Sequence, residues 1–176
     1  MRTTTCSLLT ASYLLTSASA IPPDEEGTVD LTTLANYANQ EVPDYIARDN
    51  TPNNNSITDL GATLGRVLFY DKRLSRNNTI SCASCHRQEN AFGDTADAST
   101  GVSGTTGRHS MRLINNRFSQ DQRRFWDERA TSVEDQSTRP IQDHVEMGFS
   151  GTNGDPDFSD LIAKLSAIEE YRVLFA

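Results

Sequence analysis

Apolar residues recur at helical spacing in one segment of the chain. Four of them fall at positions i, i+4, i+7 and i+8, and so form a single apolar stripe: Leu60, Leu64, Val67 and Leu68. This spacing predicts a helix from Thr58 to Tyr70. Thr58 or Ser56 can cap its first turn, because a hydroxyl oxygen there can accept a hydrogen bond from a free backbone N–H.

The rest of the pattern predicts short helices joined by long loops. Helices are predicted at the segment after Ser81, at the capping-box-like start Ser132-Val133-Glu134-Asp135, after Asp155-Pro156-Asp157, and from Ser166 towards Phe175. Residues 92–107 form a long loop rich in Gly, Ser, Thr and Asp, a length typical of functional or mobile loops. Strand patterns are scarce, so the predicted fold class is mostly α with long loops.

The beginning of the chain has a different composition. Residues 1–20 combine Arg2, a modest apolar run and a small-residue ending, Ala18-Ser19-Ala20, which is typical of a secretory signal peptide. The alternative is a disordered N-terminus. Residues 21–56, rich in Pro, Asp, Asn and Thr, are predicted to be an extended N-terminal arm that wraps the domain. No apolar stretch of about 18 residues follows, so no membrane span is predicted.

The sequence Cys82-Ala83-Ser84-Cys85-His86 is the attachment motif of a c-type haem. Two residues between the cysteines let both sulfurs face the same edge of the porphyrin, and His86 then becomes the axial ligand of the iron. The alternatives are a redox dithiol and half of a zinc site. Zinc requires further Cys or His ligands at suitable spacing, and a thioredoxin-type motif requires a βαβ pattern; the sequence contains neither. It therefore predicts one covalent haem c.

Composition narrows the choice of partners. The net charge of −8 argues against nucleic acid and anionic membrane surfaces as partners. The hydrophobic content of 36% and the mean hydropathy of −0.55 are low. A buried haem would supply the missing apolar surface. Because thioether attachment takes place outside the bacterial cytoplasm, the haem motif and the signal-like segment together predict a periplasmic protein.

Six blocks of sequence, in the same order, resemble the bacterial di-haem cytochrome c peroxidases, a family that includes the MauG-type enzymes. The blocks are Leu64–Ser75, Ile80–His86, Gly107–Ser110, Phe125–Ala130, Glu134–Gln136 and Pro140–Gly148. That family has two cytochrome-c-like domains, each with its own haem. The N-terminal haem reacts with peroxide and the C-terminal haem takes in electrons. Residues 57–176 resemble the peroxidatic domain alone, and this sequence contains no second haem motif. It is either a fragment or a shortened protein with altered function, and we expect a fragment, because the last residues resemble a helix without a cap or stop signal.

The resemblance also implies roles for individual residues. Glu146 corresponds to the acid above the haem, which moves a proton between the two oxygens of peroxide. Gln136 corresponds to a hydrogen-bonding residue of the same pocket, and Pro140 to its wall. Trp126 corresponds to the aromatic bridge between the two haems. Considered without the resemblance, Glu146 is a solvent-facing residue and Trp126 a core residue beside the porphyrin.

Two departures from the family pattern change these expectations. The loop from Gly93 to Gly107 lacks the His that closes the sixth iron position in the classical peroxidases, so the haem is expected to be open. His109 replaces an Asn that helps bind an interdomain calcium ion, so calcium remains an open alternative. Four residues are further alternative iron ligands: His109, His144, Met111 and Met147. Met147, adjacent to Glu146, is expected instead to pack in the pocket.

Two functions therefore compete. The first is a haem peroxidase that reduces hydrogen peroxide with electrons from a small cytochrome or cupredoxin, or from an oxidisable protein substrate, through a second haem domain. The second is a mono-haem c-type electron-transfer cytochrome whose sixth ligand is Met or His. An open site predicts a high-spin spectrum, whereas the carrier predicts a low-spin one.

Overall fold

The computed structural model describes residues 30–175. The predicted signal peptide, Cys6 and the first part of the predicted arm lie outside these residues. Residues 30–56 contain no helix or strand. They contact the rest of the chain at several points: the Asn50 backbone N–H donates to the Arg117 carbonyl oxygen at 3.0 Å, and the Asn50 side-chain amide donates to the Ser119 carbonyl oxygen at 2.8 Å.

Helix α1 spans Asp59–Tyr70, and this confirms the helix predicted from the apolar stripe. Thr58 caps it, since its hydroxyl accepts from the Gly61 N–H at 3.0 Å. Leu64, Val67 and Leu68 pack against the core. Leu60 is 42% exposed, because it lies in the first turn, beyond the part of α1 that the core covers.

Four shorter helices follow. They are α2 at Cys82–Cys85, α3 at Val133–Thr138, α4 at Phe158–Ser166 and α5 at Glu169–Leu174. The predicted starts of α3 and α4 are confirmed, because caps act locally: the Ser132 hydroxyl accepts from the Asp135 N–H at 3.1 Å, and the Asp157 carboxylate accepts from the N–H groups of Ser159 and Asp160. The last helix was predicted from Ser166, but Ser166 ends α4 and α5 begins at Glu169. Three-residue 3₁₀ turns lie at Lys72–Leu74, Gln88–Asn90 and Asn116–Phe118.

The prediction of an unstructured loop over residues 92–107 needs a correction. Strand β1, Thr100–Gly101, pairs antiparallel with β2, Gly104–Thr105, in a small hairpin. Strands of two residues leave no readable alternation in a sequence, and the hairpin is held partly by hydrogen bonds to a distant segment, described below. The result is a small helical domain with few strands, in which loops hold more of the described residues than helices do.

The hydrophobic core lies between α4, α5 and the loop segments that flank the haem motif and follow α3. Its buried members are Leu74, Ile141, Met147, Phe149, Leu161, Leu165, Tyr171 and Leu174. Each large apolar side chain contributes on the order of 1.5–3 kcal/mol when fully buried. The buried Tyr171 hydroxyl donates to the Asp71 carboxylate at 2.5 Å, which satisfies both groups. Within residues 30–175, no helix has the length and apolar character needed to span a bilayer.

Candidate haem-binding site

The two cysteines of the motif lie on one turn of helix α2. The turn is closed by the His86 N–H, which donates to the Cys82 carbonyl oxygen at 2.9 Å, and it starts with a reciprocal cap between Ser81 and Ser84. Both cysteines are free thiols and only partly exposed. Burial raises the pKa of Cys82 to about 11. Burial also raises the pKa of Cys85, although a hydrogen bond with the Ser99 side chain lowers it.

The raised thiol pKa values bear on the dithiol alternative. A redox-active Cys-x-x-Cys pair needs a thiol whose pKa is lowered, because the thiolate is the nucleophile. Here burial, the neighbouring thiol and the Glu146 carboxylate all act in the opposite direction on Cys82. The local environment therefore does not fit a redox dithiol.

Among residues 30–175, no group of three or more His, Cys, Asp or Glu side chains is arranged to hold a metal ion.

His86 is oriented by a tight return of the chain directly after the motif. The Arg87 N–H donates to the Gly93 carbonyl oxygen, and the Phe92 N–H donates back to the Arg87 carbonyl oxygen. Ala91 and Phe92 both have left-handed backbone conformations, with φ of 56° and 58°. This turn presents the Phe92 carbonyl oxygen to the His86 ring, 2.9 Å from Nδ1.

The bond to Phe92 prepares His86 to bind iron. A carbonyl oxygen only accepts, so Nδ1 carries the proton and the lone pair lies on Nε2. Ligating histidines commonly have their other ring nitrogen fixed in this way. Burial lowers the pKa of His86, although the Phe92 and Met111 carbonyls raise it. The imidazole is therefore favoured in the neutral form that a metal needs. Two thiols on one helical turn and an oriented neutral imidazole fit a c-type haem.

Glu146 lies near the same two thiols. Its negative charge is one of the smaller causes that raise the pKa of Cys82 and Cys85, and its backbone carbonyl accepts from the Val102 N–H of the hairpin that follows the haem motif. Glu146 is half-buried, and burial together with the Asp143 charge raises its pKa above the ordinary 4.5, while Arg129 lowers it. The segment is turned by Asp143, whose carboxylate accepts from the N–H groups of Val145 and Glu146 at 2.8 and 3.0 Å.

Gln136 and Pro140 precede residues 143–147, the Glu146 segment, along the chain. Gln136 lies in α3, and its backbone N–H donates to the Ser132 carbonyl oxygen. Pro140 follows α3, and its carbonyl oxygen accepts from the Asp143 N–H at 3.3 Å. Both residues are half-buried. Among the described side chains, no hydrogen bond joins Gln136 to Glu146.

Trp126 lies at the surface. The residue is 59% exposed. Its indole N–H donates to the His109 carbonyl oxygen at 2.8 Å. The other described residues therefore leave much of the Trp126 ring uncovered.

The alternative iron ligands have other partners. Met147 is 3% exposed and belongs to the hydrophobic core. The Met111 backbone carbonyl accepts a hydrogen bond from the His86 ring, and its side chain remains an alternative ligand. His109 Nδ1 contacts the Ala96 carbonyl oxygen at 2.8 Å, and His144 Nδ1 contacts the Asp155 carboxylate at 2.7 Å.

Sequence reasoning missed a charged network beneath the Glu146 segment. The Asp155 side chain is fully buried, and it binds Arg76, His144 and Ser150. These partners, His144 first, lower the pKa of Asp155. The role of the Phe92 carbonyl was missed as well. Neither feature has a local sequence signal, since the first joins distant segments and the second uses a backbone atom.

Comparison with known proteins agrees with this site. Residues 60–176 match the family model described as di-haem cytochrome c peroxidase. The chain belongs to this family. It is 34% identical over 125 residues to the methylamine utilization protein MauG of Methylophilus methylotrophus, an alignment that covers 70% of this chain and 35% of that protein. It is 34% identical over 113 residues to a cytochrome c peroxidase of Escherichia coli K12, covering 64% of this chain and 23% of that protein.

A solved structure extends the comparison to the fold. A MauG-like protein associated with microbial copper homeostasis superposes with a TM-score of 0.65 at 34% identity, covering 78% of this chain and 39% of that one. The chain thus spans between about a quarter and two fifths of the length of these relatives. The named relatives are oxidoreductases, and the resemblance noted in the sequence is confirmed.

Proposed function

We propose that residues 57–176 form the peroxide-reacting haem domain of a di-haem peroxidase. In this proposal hydrogen peroxide is reduced with electrons from a cytochrome or cupredoxin donor, or from an oxidisable protein substrate, through a second haem domain. The observation that carries the proposal is the half-buried Glu146 carboxyl of raised pKa, whose backbone packs against the hairpin that follows the haem motif. An acid–base group next to the cofactor is what peroxide reduction requires and what a simple electron carrier does not need.

Cys82, Cys85 and His86 would hold the cofactor. The two thiols would form thioethers with the porphyrin, and Nε2 of His86 would bind the iron, with Nδ1 held by the Phe92 carbonyl oxygen. Haem c, when bound, supplies the redox chemistry that reduces peroxide to water. One haem c is expected on this domain. The domain is proposed to act in the periplasm, where thioether attachment takes place, and calcium is not part of the proposal.

Glu146 would move the proton. As a carboxylate it takes a proton from one oxygen of hydrogen peroxide, and as a carboxylic acid it returns the proton to the other oxygen, so that water can leave. A pKa raised by burial and by Asp143 suits this exchange, because it brings the carboxyl nearer to neutral pH. The Gln136 amide would donate a hydrogen bond to the substrate, and Pro140 would form part of the pocket wall.

Trp126 would carry electrons between this domain and the second haem domain. Its exposed ring supports this role, because electron transfer needs an aromatic group where the two domains meet. The carrier alternative receives less support. It needs a Met or His as sixth ligand, and Met147 is instead buried in the core.

The proposal is tested by Glu146→Gln, which keeps the shape of the side chain but removes the proton carrier. We expect the bimolecular reaction of the ferric, haem-loaded protein with peroxide to slow by about 10²–10⁴-fold in stopped-flow mixing. The haem content and the high-spin spectrum should stay unchanged. Glu89→Gln is the matched control, because Glu89 is an exposed glutamate near the haem motif, and it should react like wild type.

Gln136→Ala should have a smaller effect, since it removes a hydrogen bond of about 0.5–1.5 kcal/mol rather than a proton carrier. Equal rates for wild type and Glu146→Gln would remove Glu146 from the mechanism. A low-spin wild type that does not react with peroxide would support the electron carrier instead.

A further inference from the structure

The hairpin that follows the haem motif lies directly against the Glu146 segment. A Cβ added to Gly101 would lie 2.1 Å from the Val145 carbonyl oxygen, 2.8 Å from its carbonyl carbon and 3.0 Å from the Glu146 Cα. All three atoms belong to the backbone, so they cannot move aside as a flexible side chain would. Only glycine allows the two backbones to approach this closely.

Hydrogen bonds fix the same contact. The Val102 N–H donates to the Glu146 carbonyl oxygen at 3.1 Å, and the Ser103 N–H donates to the Val145 carbonyl oxygen at 3.2 Å. Gly101, Val102 and Ser103, three consecutive residues of the hairpin, therefore hold the peptide units on both sides of the Glu146 Cα.

Arg76 ties the hairpin to the other end of the segment. Its backbone N–H donates to the Met147 carbonyl oxygen at 2.9 Å, and its Nη2 donates to the Ser103 hydroxyl at 2.6 Å. Its Nη1 pairs with the buried Asp155 carboxylate. The Glu146 segment is thus held by the hairpin and by Arg76, and Arg76 and the hairpin are joined at Ser103.

We propose that Gly101 is a positioning residue for Glu146: its lack of a side chain sets the distance between the hairpin and the carboxyl that moves the peroxide proton. This inference rests on the proposed function of Glu146. Proton transfer requires the two heavy atoms to be within about 2.6–3.2 Å, and a misplacement of about 1 Å can cost roughly 100-fold in rate. A Cβ at Gly101 would force the backbones apart by a distance of this order.

The first test compares Gly101→Ala with Gly107→Ala, both in the haem-loaded protein. Gly107 is the matched control, because it lies in the same loop and a Cβ there would contact nothing within 4 Å. Hydrogen–deuterium exchange of the Val102 and Ser103 amides reports the contact without any activity measurement. We expect exchange to rise at least about tenfold in Gly101→Ala, and the peroxide reaction to slow by about 10–100-fold. Gly107→Ala should change both by less than about twofold.

The second test repeats Gly101→Ala in the Glu146→Gln background. If Gly101 acts through Glu146, the added substitution changes the peroxide rate by less than about twofold, because the group that it displaces no longer carries a proton. A merely structural role would give the same fold-change in both backgrounds, and that result would overturn the inference.

Ser103→Ala gives an independent variant, for use if Gly101→Ala does not fold. It introduces no clash and removes only the hydroxyl that binds Arg76. We expect a slower peroxide reaction, by about 2–10-fold for one lost hydrogen bond, again only when Glu146 is present. If neither variant slows the reaction while Glu146→Gln does, the inference fails and the proposed function stands. If Glu146→Gln itself has no effect, both fail.

Discussion

The two residues proposed to act in this domain, His86 as iron ligand and Glu146 as proton carrier, are held in different ways. His86 depends on its own neighbourhood: the turn of α2 begins at Cys82, and the ring is oriented by Phe92, six residues along the chain. Glu146 depends on segments that are far apart in sequence, since its backbone is held by the hairpin at Val102 and its segment by Arg76. The iron-ligand side is thus built locally, whereas the proton-transfer side is assembled by the tertiary fold.

This difference predicts how each side fails. A locally built site forms wherever its short segment folds, so only changes within that segment should destroy it. A site assembled from distant segments responds to changes in any of them, including residues that never touch the substrate. Residues such as Asp155 and Gly101 belong to this second group, because they contact the Glu146 segment or its supports.

The largest effect should follow from breaking the local side. Cys82→Ala combined with Cys85→Ala should abolish covalent haem completely, because both thioethers are lost. The measurement is the haem that stays with the protein after acid–organic extraction. Ala83→Ser, between the two cysteines, is the control and should retain haem. Covalent haem in the double variant would contradict the assignment of the attachment site.

The pH dependence of the peroxide reaction should report on Glu146, the residue held by segments distant in sequence. Glu146 must be ionised to accept the first proton, and burial and Asp143 raise its pKa above 4.5. The rate of wild type should therefore fall as the pH drops through this raised pKa, by about tenfold per pH unit below it. Stopped-flow rates between pH 4 and pH 8, roughly the range that proteins tolerate, would measure this.

Two variants sharpen the pH experiment. In Glu146→Gln the fall of the rate at low pH, the acid limb of the profile, should disappear. An unchanged acid limb would mean that another group titrates. Asp143→Asn keeps the oxygen that accepts from the Val145 and Glu146 amides but removes the charge. The limb should then move to lower pH.

Asp155→Asn should weaken the support of the Glu146 segment. The pKa of Asp155 is lowered from its ordinary 3.8, chiefly by His144, so the carboxylate contributes stability above that value and the contribution is lost as the pH falls through the lowered pKa. The variant should melt at a lower temperature than wild type at neutral pH, and the difference should shrink in acid. Asp97→Asn, at an exposed position, is the control. A difference that grows in acid would contradict this account.

The smallest effect on stability is expected at Trp126. Because the residue is 59% exposed, Trp126→Phe should change the free energy of unfolding by no more than about 0.5 kcal/mol. Chemical denaturation measures this directly. A loss of several kcal/mol would mean that the ring is buried in the folded protein. With an electron donor and the second haem domain present, the same variant should turn over more slowly, because its relay is impaired.

The sequence alone was sufficient for the features whose energetics are local. Helix α1, with Thr58 as one of its two candidate caps, the helix start at Ser132 and the helix after Asp157 were predicted correctly, because they depend on residues three or four positions apart. The haem motif was readable for the same reason. A covalent attachment needs two thiols and an imidazole at fixed spacing, and no other part of the chain contributes to that spacing.

The tertiary structure decided the rest. The hairpin at residues 100–105 is too short to leave a pattern, and part of its support comes from Val145 and Glu146. The exposure of Trp126 and the burial of Asp155 depend on which segments happen to cover them, which composition does not determine. The sequence contained the attachment motif of a haem c, and the family resemblance implied the role proposed for Glu146. The fold alone determined that the Glu146 segment packs against the hairpin that follows the haem motif, because that contact joins segments distant along the chain.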